Sequence, residues 1–288
     1  GSSGREALAR DHIEFFHTQQ LAWEQELLSA FPGVQGKTLS VDRESGARSV
    51  LLRFPPGWAQ PAPQQFPAGQ ELYVLDGAIE INDRHYGLDC YAHLPAGTVR
   101  HAASTPSGCD MIAFFDREPA SPAAGAPARE AGPPAVPYLN AHEMAWECEG
   151  MDPFYADWGL KWKILLHDPD TSATTMLVSM PPQVHPANWQ GPREIHDCME
   201  EAFMLAGDLY THNGVFHQGM YFYRPPRIHH GPFASRFGCL ILVRVDGVLE
   251  NNWTQDEMAV TFDPTHAPVL PPGLAAAAGQ AWHPGRRY

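Results

Sequence analysis

The sequence predicts a mainly β chain, two tandem jelly-roll β-barrels preceded by a short N-terminal helical segment. Three observations predict it. The chain repeats itself internally. Each copy carries short apolar runs punctuated by turn residues. Gly and Pro are abundant together, 25 and 28 in 288 residues, as many short strands joined by turns require.

The repeat begins at Leu21-Ala22-Trp23-Glu24, which recurs as Met144-Ala145-Trp146-Glu147. Lys37 to Pro56 then matches Lys163 to Pro182 without a gap at an offset of 126, and Glu71 to Gly97 matches Glu201 to Arg227 at an offset of 130. The second offset persists at Gly108-Cys109/Gly238-Cys239 and Asp116/Asp246. An ordered series with one short insertion, between Pro182 and Glu201, marks a duplication.

In chain order, Arg5 to Phe31 carries Leu8, Ile13, Phe16, Leu21, Trp23 and Leu27 and is read as partly helical. A first barrel is expected over 5–117, an Ala/Pro-rich linker over 118–137, a second barrel over 138–263 and a tail over 264–288. Gly1-Ser2-Ser3-Gly4 reads as a cloning remnant. Ser49 to Phe54 and Thr175 to Met180 are apolar strands stopped by Pro-Pro. Glu71 to Leu75 and Glu201 to Leu205 are strands that each reach a Gly two residues on. Asn213-Gly214 signals a two-residue hairpin, because a type I′ turn needs positive φ at both positions.

Charge narrows the partners. Lys plus Arg total 19 against 33 Asp plus Glu, a net charge of −14, and no basic cluster offers phosphates a track, so nucleic acid is excluded. No apolar run approaches a membrane span, and no signal-peptide pattern opens the sequence. Five cysteines without a CxxC pair argue against a thiolate zinc site or a disulfide framework. The expectation is a reduced, cytoplasmic protein, and its acidic surface and paired barrels suit a homodimer.

The second copy concentrates the chemistry. Glu194-Ile195-His196 is followed by Glu201 and Gly207, and later by Pro225-Pro226-Arg227 and His230. Residues i and i+2 on a strand share a face, so Glu194 and His196 point the same way. With Glu201 and His230 from neighbouring strands, four N/O donors converge; such a set suits Fe, Zn, Mn or Ni. In the first copy the same positions are Gln64, Phe66, Glu71 and Arg100. Phe66 cannot bind a metal, and an Arg100–Glu71 ion pair is expected in its place.

These residues resemble the motifs of the cupin superfamily: HxH, three or four residues, Glu, six residues and Gly, then a Pro-x-Gly turn followed by His. The two copies together resemble a bicupin with a degenerate N-terminal metal site. The resemblance implies a divalent metal in the C-terminal barrel held by Glu194, His196, Glu201 and His230. The usual family set is three His and one Glu; here Glu194 replaces the first His, as a ligand or as a general base. His185 and Trp189 are candidates for the mouth of the site or for loop packing. Phe203 shares the parity of Glu201, and Tyr221 and Tyr223 line the pocket or fill the core.

The resemblance implies an enzyme for a small organic molecule. Two His and a carboxylate with open positions point to a non-haem iron dioxygenase cleaving a C–C bond. The alternatives are redox-neutral decarboxylase, isomerase or lyase chemistry, or a non-catalytic ligand-binding bicupin.

Overall fold

Pro-Pro stops and apolar runs resolve into two large antiparallel sheets. The computed structural model describes residues 8–120, 132–183, 185–186 and 189–288; Gly1-Ser2-Ser3-Gly4 and residues 121–131 of the expected linker lie outside them. The first sheet has six strands in the order Val136–Asn140, Cys90–Leu94, Gln70–Gly77, Cys109–Phe115, Arg48–Phe54, Gln35–Val41. The second follows the order Ile13–His17, Met220–Arg224, Glu200–Thr211, Cys239–Val245, Thr174–Met180, Lys161–His167. From Gln35–Val41 onward, corresponding strands obey the two sequence offsets.

The outer strands are exchanged. Ile13–His17, which precedes the first copy, pairs with Met220–Arg224 of the second sheet. Val136–Asn140, which precedes the second, pairs with Cys90–Leu94 of the first and begins inside the segment read as linker. The segment expected to be helical is therefore a strand with one 3-10 turn, Thr18–Gln20. All five residues of Ile13–His17 are buried, so an amphipathic helical stripe was never needed there.

Three apolar clusters layer the molecule. One fills the first jelly roll around Leu72, Phe54 and Phe66, and another fills the second around Met204, Phe216 and Phe222. The third lies where the large sheets face each other and pairs equivalent residues: Leu39 with Leu165, Leu51 with Leu177, Tyr73 with Phe203, Tyr91 with Tyr221. Both faces of each large sheet are thus covered. Gly77 ends its strand and Gly207 holds the equivalent position inside Glu200–Thr211, with φ of 69° and 80°; a Cβ at either would meet the carbonyl oxygen of Gly108 or Gly238. The predicted hairpin forms, but its loop residues are His212 and Asn213, with Thr211 opposite Gly214. All five cysteines are free, and no described helix is long and apolar enough to cross a membrane.

Candidate metal centre

Strand Gln190–Ile195 lies against Asn252–Ala259, with Glu194 opposite Trp253. On its other edge Glu194 and His230 exchange both backbone hydrogen bonds, at 2.8 and 3.0 Å. That mutual pairing holds the two side chains side by side. His196 follows two residues after Glu194, and its carbonyl accepts from the Arg227 amide at 2.9 Å. Next to them is the helix Pro153–Asp157, started by Asp152 as N-cap with Pro153 in the first turn. Trp253 donates to Asp152 at 3.3 Å and fastens that helix beside the strand.

Glu194, His196 and His230 offer donor atoms that all lie within 4.8 Å of one another. Their exposures are 5%, 3% and 3%. The orientation of both rings is set from behind. His196 Nδ1 is 2.9 Å from the Cys198 carbonyl and His230 Nδ1 is 2.8 Å from the Ile228 carbonyl, so each Nδ1 donates and each Nε2 keeps its lone pair. Both Nε2 atoms are buried without a hydrogen-bond partner. His230 Nε2 does lie 2.6 Å from Glu194 Oε1, a contact not aligned as a hydrogen bond. Two buried lone pairs aimed toward a carboxylate fit a divalent cation. The Tyr155 hydroxyl donates to the other oxygen of Glu194. Burial pushes the Glu194 carboxyl up, but the facing His230 ring and the Tyr155 bond outweigh it and hold it below the usual carboxylate range.

A cavity of about 480 Å³ opens onto this group, lined by Glu194, His230, Tyr155, Glu200 and Arg224 at its polar side and by Met176, Leu209, Phe216, Phe222, Phe233 and Ile241 among its apolar walls. Glu200 Oε1 lies 3.9 Å from His230 Nε2 and 2.9 Å from Arg224. Arg224 also pairs with Glu14, delivered by the exchanged strand, at 2.5 Å. A strand that precedes the first copy thus supports the site of the second.

The description "Domain of unknown function (DUF4437)" matches residues 17–252. The chain belongs to the DUF4437 family. No curated protein matches it in sequence. Solved structures resemble it in fold. A candidate dioxygenase from Nostoc punctiforme PCC 73102 has a TM-score of 0.73 at 18% identity, covering 86% of this chain and 92% of that one. The oxalate decarboxylase of Lactobacillus farciminis, solved with formate, has a TM-score of 0.53 at 12% identity, covering 87% and 89%. A cupin 2 conserved barrel domain protein from Leptotrichia buccalis has a TM-score of 0.52 at 10% identity, covering 82% and 97%. The fold of this DUF4437 chain is accordingly a cupin fold.

Several expected site residues lie elsewhere. Glu201 faces the other sheet; Ser49 of that sheet, Arg10 and Arg244 of its own sheet bond its carboxylate at 2.6, 3.1 and 3.3 Å. Its carboxylate stands outside the group formed by Glu194, His196 and His230; its neighbour Glu200 faces the cavity. The signal was present, because six residues separate Glu200 from Gly207 as the cupin motif requires. The coincidence of Glu71 with Glu201 between copies pointed to the wrong residue, since both serve the contact between sheets. Phe203, Tyr221 and Tyr223 share the parity of Glu201 and pack in that same contact: Phe203 against Tyr288 at 5.6 Å, Tyr221 against Phe16 at 6.1 Å, Tyr223 under Arg10 at 4.4 Å. None lines the cavity. His185 and Trp189 stack on each other at 3.8 Å and on Trp158, and they too lie outside the cavity lining.

The expected Arg100–Glu71 pair does not form, because Glu71 faces Arg244 of the second sheet at 2.8 Å. Tyr155 was missed entirely. Asp152-Pro153 announces a helix start, but no sequence feature links its third residue to Glu194.

Proposed function

We propose that this DUF4437 protein is a metal-dependent enzyme whose single divalent ion is held by Glu194, His196 and His230. The observation that carries the proposal is the pair of buried Nε2 atoms, each with its Nδ1 committed to a backbone carbonyl. Two His and one carboxylate are the donor set of non-haem Fe(II) oxygenases, which favours a dioxygenase that cleaves a C–C bond. Bound Fe(II) supplies O2 activation and polarises a chelating oxygen of the substrate.

The chain's own residues select and orient that substrate. Apolar walls bind a hydrophobic body and exclude water. Arg224, the only Arg or Lys among the described lining residues, is committed to Glu14 and Glu200, so beyond the metal no described side-chain cation is free to pair with a second negative charge on the substrate. A neutral or singly charged chelator with an apolar tail, such as a dicarbonyl compound, suits the cavity. Tyr155 fixes the Glu194 carboxylate, and Glu200 lies 3.9 Å from His230 Nε2. The place of Glu194 on the cavity wall supports a second, redox-neutral reading in which Glu194 moves a proton on the substrate.

Metal analysis of the purified chain, then anaerobic Fe(II) loading and oxygen uptake with 1,3-diketones, tests both levels. Fewer than roughly 0.1 bound ions per chain after loading removes the metal proposal. Stoichiometric iron without substrate-dependent oxygen uptake removes the oxidative reading and leaves the redox-neutral one.

A further inference from the structure

The first jelly roll buries a cation where the second gathers its metal donors. Arg100 is 4% exposed and stands opposite Gln64, in the register that joins His230 to Glu194. Gln70 stands opposite Leu94, as Glu200 stands opposite Arg224. Phe66 holds the position of His196. Two carboxylates of the second copy are therefore amides in the first, and an imidazole has become a guanidinium. The sign of the site is inverted.

No described residue neutralises that charge. Arg100 makes no ion pair and donates no hydrogen bond to a described residue; its Nε is buried without a partner, and the guanidinium lies 4.3 Å over the Phe66 ring. Glu71, the acid expected there, is bound to Arg244. Gln70, 1% exposed, also leaves its Oε1 unpartnered. Burial lowers the Arg100 pKa to about 9, so the side chain remains cationic at neutral pH. An unpaired buried charge is costly, whereas a guanidinium fork matches a planar oxyanion in shape and charge.

We propose that the first jelly roll is an anion-binding unit in which Arg100, with Gln64 and Gln70 at the positions that carry Glu194 and Glu200 in the second, takes a small carboxylate. One cation balances one negative charge; the second charge of phosphate would be buried without compensation. The site is separate from the metal centre and stands or falls independently of it.

The test is the thermal midpoint of the full chain in sodium acetate, chloride and phosphate at equal ionic strength. Wild type and His196→Ala are both measured, so that acetate held by a metal in the second unit is told apart. Acetate is expected to raise the midpoint by roughly 3 °C over chloride, saturably, in both proteins. Arg100→Met should abolish the response. Gln70→Glu should abolish it too while raising the midpoint in chloride, because it supplies the counter-charge internally; this variant decides the matter if Arg100→Met does not fold. The proposal is overturned by no acetate response in wild type, by loss of the response in His196→Ala, by an unchanged response in Arg100→Met or Gln70→Glu, or by a response to phosphate alone.

Discussion

Arg244, on the second sheet, donates its Nε to the Glu71 carboxylate of the first at 2.8 Å. Its Nη1 reaches Glu201 of its own sheet at 3.3 Å, so one guanidinium joins the two acids that the repeat makes equivalent. The surroundings obey the same symmetry. Tyr91 and Thr175 donate to Glu71, as Tyr221 and Ser49 donate to Glu201. Burial pushes the Glu71 carboxyl up, but Arg244 and these hydroxyls hold it below the usual range.

Arg244→Met leaves the buried Glu71 carboxylate without a cation and Glu201 with Arg10 alone. It is expected to destabilise the protein by about 3–5 kcal/mol in chemical denaturation, with metal content unchanged. A loss under ~1 kcal/mol would show that the contact between sheets does not depend on this charge.

Metal content separates the two glutamates. His196→Ala and His230→Ala should lose the ion, and Glu194→Gln should hold it more weakly. Glu201→Gln should keep wild-type stoichiometry in elemental analysis, since its carboxylate faces Arg10 and Ser49. Equal loss in Glu201→Gln and His196→Ala would return Glu201 to the donor set.

Tyr155→Phe removes the hydroxyl that fixes Glu194 and leaves the ring stacked on Phe233 at 5.8 Å. Metal affinity should fall ~10–100-fold without unfolding. Competition with a chelator measures it, and an unchanged affinity would make Tyr155 a packing residue only.

Phe66 is 3% exposed and packs on Phe31 at 5.2 Å. Phe66→Ala should cost about 3 kcal/mol by cavity formation and leave metal stoichiometry alone. Matching metal loss here and in His196→Ala would contradict the separation of the two units.

Acid should weaken the fold early. His17 is fully buried beside His217, and burial, helped by that ring, lowers its pKa to about 4 from 6.5. The unfolded chain therefore protonates this ring first; its contribution, on the order of 3 kcal/mol, is complete above pH 6.5 and lost as the pH falls toward 4. Glu14 adds a second branch: burial raises its carboxyl, but Arg224 and His12 hold it at about 2 against 4.5, so its stabilisation is whole above 4.5 and lost toward 2. Denaturation midpoints measured from pH 7.5 to 4 should fall, and His17→Gln should fall less steeply. A flat wild-type profile down to pH 5 would sink the assignment to His17.

The repeated strands, their equivalence and the grouping of Glu194, His196 and His230 were legible in the sequence. The repeat carries strand identity, and Glu194-x-His196 places both side chains on one face through the period of two. Glu201 was misread for a physical reason. Strand Glu200–Thr211 is covered on both faces, by the cavity side and by the other sheet, so alternation could not say which glutamate looks where. The same ambiguity sent Phe203 to the pocket and left Tyr221 and Tyr223 between pocket and core.

The amino-acid order by itself determined the duplication, the β class and the chemical inequality of the two sites, because these reside in residue type and spacing along one strand. Only the tertiary structure decided that Ile13–His17 completes the opposite sheet, that Glu71 answers Arg244 rather than Arg100, and that Tyr155 holds Glu194. Those partners are separated by tens to hundreds of residues, and what selects them is the packing of one covered face against another, which no local pattern encodes.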